Sequence, residues 1–260
     1  IWDATTGELL LGIPAAEGAW YHMVAWSPDG KQILGTHVYA GKWPVVVFDA
    51  TTGERQFSIG EDYQGHKHAE WSPDGTRIAT ACMYSADGMC PTRIWDAQTG
   101  ETLLMLESPG GDTHFLDWSP DGTRLATGHK GGIATVWDAD PASQTYGEAL
   151  LVFAGHDEWV PEVTWSPDGT RIASGDMAGL VKGWDATTGA EVFGFQVPGG
   201  VVRMDWSPDG EHLVVAGEFN APIVHRVWQS TEDLIEYAYE CCVFRELTPE
   251  ERAQFMLGDE

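Results

Sequence analysis

The sequence predicts an all-β chain of repeated four-stranded units, and two periodic markers carry the prediction. The first is a turn, Trp-Ser-Pro-Asp-Gly, that recurs at Trp26–Gly30, Trp71–Gly75, Trp118–Gly122, Trp165–Gly169 and Trp206–Gly210, so that successive turn tryptophans stand 45, 47, 47 and 41 residues apart. The second is an aromatic-Asp pair that keeps pace with it: Trp2-Asp3, Phe48-Asp49, Trp95-Asp96, Trp137-Asp138, Trp184-Asp185 and the altered copy Trp228-Gln229. In the turn, proline presets φ for the bend and glycine takes the positive φ that closes it. Short apolar runs flank each turn and read as two strands of a hairpin. Two markers in phase at this period are the signature of a β-propeller blade.

On these residues the sequence resembles the WD-repeat family of β-propellers from Ile1 to about Gln229. The resemblance implies a propeller domain over residues 1–230 with five recognisable four-stranded blades, centred on Trp26, Trp71, Trp118, Trp165 and Trp206. An open propeller leaves unpaired strand edges, so the ring is expected to close. Either Glu8–Ile13 joins blade five as the outermost strand of a five-bladed ring, or one or two upstream blades make a ring of six or seven. From Thr231 the period stops. Leu234, Ile235, Tyr237, Ala238, Cys241 and Cys242 fall at helical spacing. Thr248, Pro249 and Glu251 then have the arrangement of a capped second helix. Residues 231–260 are therefore expected to be a helical tail capping the ring. The stretch Arg245–Glu251 is similar to tails that follow the last blade in large bacterial signalling and defence proteins, which implies that further domains lie upstream.

Composition narrows the partners. With 14 basic against 40 acidic residues the formal charge is −26. Nucleic acids and anionic membrane surfaces need clustered Lys and Arg, so neither is expected as a partner. No apolar run approaches the length of a membrane helix. Four cysteines without a repeated position make no disulfide framework; Cys82 and Cys90 flank one hairpin, and the expectation is a reduced pair in a cytoplasmic protein.

The family resemblance also implies a hydrogen-bonded line within each blade, from a His through a Ser or Thr to the Trp of Trp-Asp. Blade four carries His156, Ser174 and Trp184, but counting along the chain places Ala178 where the line should end on an Asp. A partial network is expected there. The corresponding His places elsewhere hold Glu17, Asp62, Pro109 and Val197, so packing and ladder bonds are expected to hold the other blades.

Function is expected at the top mouth of the central channel. Four residues before the turn tryptophans stand His22, Lys67, His114, Pro161 and Val202, with His66 and His68 flanking Lys67. The same mouth is expected to collect Trp20, Met23, Tyr63, Tyr84, Phe115, Trp159, Glu162, Arg203 and Phe219. Exposed aromatic, Met and Arg side chains around a rim are what protein-recognition hot spots use. Phosphate loops, His-Glu-x-x-His and nucleophile elbows are absent from the sequence. The expectation is a non-catalytic scaffold or sensor module that binds a protein or peptide, without cofactor or metal. The alternative is a propeller hydrolase or lyase using His22, His114, Glu162 and Arg203, in which converging imidazoles could hold a metal.

Overall fold

The structure, a computed structural model, describes residues 1–15, 20–38, 44–60, 66–82, 91–218, 221–228, 235 and 237; for residues 37, 38, 66 and 67 it describes the backbone alone. The chain divides into two compact units, residues 1–225 and 226–260. In the second, Ile235 and Tyr237 are helical, and the rest of the expected tail lies outside the described residues.

Blade one is β1 (Trp20–Trp26), β2 (Gln32–Val38), β3 (Val45–Asp49) and β4 (Arg55–Ile59). Blade two is β5 (His66–Trp71), β6 (Arg77–Cys82), β7 (Thr92–Asp96) and β8 (Thr102–Leu106). Blade three is β9 (Thr113–Trp118), β10 (Arg124–His129), β11 (Ile133–Asp138) and β12 (Ala149–Ala154). Blade four is β13 (Glu162–Trp165), β14 (Arg171–Gly175), β15 (Leu180–Asp185) and β16 (Glu191–Gln196). The fifth sheet has three strands among the described residues, β17 (Val201–Trp206), β18 (His212–Gly217) and β19 (Ile223–Arg226). All pairings follow chain order, so each sheet is an antiparallel meander. The inner strands of successive blades touch in the series β1, β5, β9, β13, β17.

Each Ser-Pro-Asp-Gly turn is built alike. In blade four the Ser166 hydroxyl donates to Asp168 Oδ1 at 2.6 Å, Thr170 N donates to the same oxygen at 3.0 Å, and Arg171 N donates to Ser166 Oγ at 2.9 Å. Gly169 closes the turn at φ 70°. These donors hold Asp168 below the usual carboxylate range, although partial burial opposes them most strongly.

The core lies between blades. Leu34, Val45, Val47 and Ile59 of blade one meet Ala69, Trp71, Ile78 and Trp95 of blade two. Equivalent clusters join blades two and three around Trp118, and blades three and four around Trp165. Middle strands are covered on both faces, as in β6, which is buried from end to end, whereas the outer strands β8 and β16 are largely exposed. Charge also crosses between blades. The Arg77 guanidinium lies over the Trp118 ring at 4.7 Å, Arg124 over Trp165 at 4.5 Å and Arg171 over Trp206 at 5.0 Å. Each of these cations also donates to the Gly carbonyl of the next turn, Gly122, Gly169 and Gly210.

Three expectations are corrected. Leu9 bridges Trp2 within the first residues rather than extending β19, so Glu8–Ile13 is not a fourth strand of blade five. Cys82 is disulfide-bonded, not reduced, and its partner is outside the described residues. Blade four's hydrogen-bonded line is complete. The Trp184 indole N–H donates to Ser174 Oγ at 2.7 Å, Ser174 lies 2.7 Å from His156 Nε2, and His156 Nδ1 lies 3.0 Å from Asp176 Oδ2. Burial lowers the His156 pKa, so the ring is neutral, accepting from Ser174 and donating to Asp176. The acid is Asp176, directly after β14, because the tight turn to Leu180 begins there: Asp176 Oδ1 takes the N–H groups of Ala178 and Leu180.

Blades two and three are not held by packing alone either. Trp95 Nε1 donates to Thr80 Oγ1 at 3.0 Å. In blade three Trp137 Nε1 donates to Thr127 Oγ1, which lies 3.0 Å from His129 Nε2, while His129 Nδ1 lies 2.6 Å from Ser108 Oγ. His129 stands where blade four has Asp176, so the histidine enters the line from the opposite end. Thr92 of blade two donates to Thr113 at 3.0 Å and ties that line to its neighbour.

Candidate recognition surface at the inner-strand mouth

The residues four places before the turn tryptophans have a distinct backbone state. Strand register shifts between Tyr21 and Met23, between His66 and His68, opposite Gly128 and His129, and between Val201 and Arg203. The residues left out of the pairing are His22, Lys67, His114 and Val202. In blade four Pro161, which has no N–H to donate, precedes a strand that starts at Glu162. A β-bulge frees one residue from the ladder and re-aims its side chain. His22 and Val202 are accordingly exposed and His114 is half-buried.

One step along, the side chains turn inward and join across blades. Arg203 Nη1 donates to Glu162 Oε2 at 3.0 Å. The Arg203 guanidinium lies 4.6 Å over the Phe115 ring, and Phe115 stacks on His68 at 3.7 Å. Four blades thus supply one contiguous group. Glu162 is 1% exposed while the Arg203 side chain is half-exposed, so the cation caps a buried acid. Burial pushes Glu162 up to about 8 against the pull of Arg203. Burial and the nearby cation push His68 down to about 3, so its ring is neutral.

A second layer lies beneath. Glu70 and Asp117, each one residue before its turn tryptophan, are neighbouring acids removed from solvent. Burial, and next the charge of Asp117, raise Glu70 well above the ordinary carboxylate range. Asp117 accepts the Trp165 backbone N–H at 2.6 Å, which fixes it to the next blade.

The exposed part of the mouth centres on Trp159. Its ring packs 5.4 Å from His114, and the Lys130 ammonium lies 4.6 Å from its centroid. Trp159 is 36% exposed and Met177, whose N–H donates to the Trp159 carbonyl, is also exposed. Met23 is placed between blades, its sulfur accepting the Ala69 N–H at 3.4 Å. Trp20 is exposed at the start of β1. Tyr63, Tyr84 and Phe219 lie outside the described residues, as do the side chains of His66 and Lys67.

The structure therefore brings together His68, Phe115, Glu162 and Arg203 in one cluster, and His114 with Trp159 in another. It adds Glu70, Asp117, Lys130 and Met177, which the sequence reading did not single out. Glu70 and Asp117 had a usable signal, an acid in the same repeat position on adjacent blades. Lys130 and Met177 had none, since they stand on turns whose direction depends on the fold. Among the described residues, the mouth histidines do not enter a group of three metal-ligating side chains. The group of three that does occur is Asp209, Glu211 and His212, on the turn of blade five, where Asp209 is already bonded to Ser207 and the Glu211 N–H. Among the described residues no helix is long and apolar enough to cross a membrane.

Comparison with known proteins agrees with this architecture. Residues 147–185 match the family described as WD domain, G-beta repeat, and residues 13–131 match that of eukaryotic translation initiation factor eIF2A. No curated protein matches the chain. Among solved structures, a chain from the "Crystal Structure of Mitotic Checkpoint Complex" superposes with a TM-score of 0.72 at 20% identity, covering 87% of this chain and 67% of that one. The fold is that of a WD-repeat β-propeller.

Proposed function

We propose that this chain is a non-catalytic recognition module that binds a protein or peptide through the mouth formed by Trp159, Arg203, His114, Lys130 and Met177. The observation that carries this reading is the seating of Trp159. Its indole is held between a cation and an imidazole, both of blade three, while a third of its surface stays open to solvent. Aromatic and Arg side chains held rigid before binding lose little entropy on association, and such residues dominate interface energetics. Arg203 is oriented in the same way by buried Glu162 and the Phe115 ring. The scaffold role common to this fold supports the reading, and the solved neighbour comes by its title from a complex. By the resemblance of the C-terminal segment, the module would serve as a sensor within a larger bacterial signalling protein.

The test is affinity capture from lysate of the source cell, with the wild-type chain beside W159A and R203E. A protein retained by the wild type and lost from both variants, with unchanged circular dichroism, supports the reading. Identical capture by all three would sink it. Turnover of ester or glycoside substrates that is abolished by E162Q would instead favour the hydrolase alternative.

A further inference from the structure

The acids of the inner strands outnumber the cations that reach them. Glu70, Asp117 and Asp205 each stand one residue before a turn tryptophan, on β5, β9 and β17, and Glu162 opens β13. The Asp205 charge acts on Asp117, and the Asp117 charge acts on Glu70 and Glu162, so the four acids form one run across four blades. Among the described side chains the cation bonded to this run is Arg203, and it is spent on Glu162. Burial pushes Asp117 up to about 6, the direction expected of an acid in a dry site with no cation of its own.

Hydrogen bonding points to the same place independently of charge. Glu70 Oε2 is sealed from solvent and has no hydrogen-bond partner. His68 Nδ1 is equally sealed and unpartnered, on a residue that is 8% exposed and shares a strand face with Glu70. Buried polar atoms are nearly always bonded, and one left without a partner costs free energy until a ligand or water supplies it. The neighbouring acids are better served by the next blade: Asp117 Oδ2 takes the Trp165 N–H at 2.6 Å and Glu162 Oε1 takes that of Met204 at 3.4 Å. What the Glu70 end lacks is a donor.

The chain itself displays a chemistry that would fill the gap. Arg203 places its guanidinium on Glu162 and over the Phe115 ring, so a carboxylate beside an aromatic ring already holds one organic cation here. The same two ingredients recur one layer beneath. Phe115 shares a face of β9 with Asp117, its ring stacks on His68 at 3.7 Å, and His68 shares a face of β5 with Glu70.

We propose that the mouth recognises a basic side chain, lysine or arginine, of the bound protein or peptide, which enters past Arg203 and donates to Glu70 and Asp117. The inference rests on the recognition reading and names the residue that the partner must present. An ammonium or guanidinium brings donors and no acceptor, which suits carboxylates short of a donor. The formal charge of −26 also favours the approach of a basic segment over an acidic one.

The test is selection of random peptides displayed on phage by the wild-type chain, followed by affinity measurements on E70Q, E70Q/D117N, W159A and R203E. Wild-type selections should converge on peptides with one fixed Lys or Arg. Replacing that residue by norleucine or citrulline should weaken binding about tenfold to a hundredfold, the loss of one charge-assisted hydrogen bond. The same replacement should cost less on E70Q and less again on E70Q/D117N. The peptide-side change needs no protein variant, so misfolding of the double variant, read by circular dichroism, leaves the test intact. Peptides that converge without a basic residue and are lost on W159A would overturn this inference and leave the recognition surface standing. Equal losses on wild type, E70Q and E70Q/D117N would overturn it too, by placing the basic residue elsewhere on the acidic surface. A rise in Tm with calcium or potassium that E70Q abolishes, with no basic residue in the peptides, would make a free cation the occupant and refute the proposal. Peptides bound equally by W159A and R203E, or no convergence at all, would defeat the recognition reading and this inference with it.

Discussion

Replacing Arg77 with alanine tests whether the cations between blades hold the propeller together. Arg77 is buried, its guanidinium lies 4.7 Å over Trp118, and it donates to the Gly122 carbonyl at 2.8 Å and to the Ala139 carbonyl. A desolvated cation–π contact contributes about 1–2 kcal/mol. Each charge-assisted hydrogen bond adds about 1.5–3 kcal/mol, and its loss leaves a buried carbonyl without a donor. Relief from burying the charge offsets part of this sum, leaving a net cost of about 3 kcal/mol. For a unit of this size that is a fall of about 6–12 °C in Tm, measurable by near-ultraviolet circular dichroism. A shift under about 2 °C would refute the reasoning and leave apolar packing as the tie between blades two and three. The reciprocal change sharpens the test. Gln32 occupies the Arg77 place in blade one, and the Trp71 indole nitrogen across from it has no hydrogen-bond partner. Q32R should place a guanidinium over Trp71 and raise stability by about 1 kcal/mol.

Other outcomes follow from buried titratable groups. His129 is held down to about 4 by burial, against a model-peptide value of 6.5. The unfolded chain therefore takes the proton first, and stability that is full above pH 6.5 is lost as pH falls toward 4, on the order of 3 kcal/mol in all. H129Q should flatten that slope in urea titrations at pH 4.5 and 7. Glu162 has the opposite sign. Its folded value of about 8 lies above the ordinary 4.5, so its contribution is full below pH 4.5 and is lost as pH rises to 8. E162Q should therefore gain stability relative to the wild type at pH 9 and not at pH 5. Cys82 should resist alkylation in denaturant until a reductant is added; labelling without reductant would contradict its disulfide.

The repeat was legible because its markers are local. A Ser-Pro-Asp-Gly turn bonds only to itself, and its fivefold recurrence gave the hairpins, their order and the blade identity. The hydrogen-bonded lines were less legible because their partners are set by where strands end. Asp176 was passed over for Ala178 because spacing was counted along the chain, whereas the acid sits at the first residue beyond β14. His129 was missed for the same reason; it stands at the matching place, as the last residue of β10. At the mouth, residue types were read correctly but not their direction. His68 and Glu162 look like rim residues in sequence and are buried: the bulge at Lys67 turns His68 inward, and Glu162 opens β13 directly after Pro161. The Cys82 bond has no sequence signal beyond proximity.

The bulges also bear on how such a surface can change over generations. The strand register skips residues 22, 67, 114 and 202, and pairing resumes, shifted by one place, directly after each. Their identities here, His, Lys, His and Val, have little in common chemically, which fits positions that the ladder does not constrain. Variation at these four places would re-specify what the mouth accepts while the blades keep their folding instructions, so a combinatorial library confined to them is a route to new binding specificities on an unaltered frame.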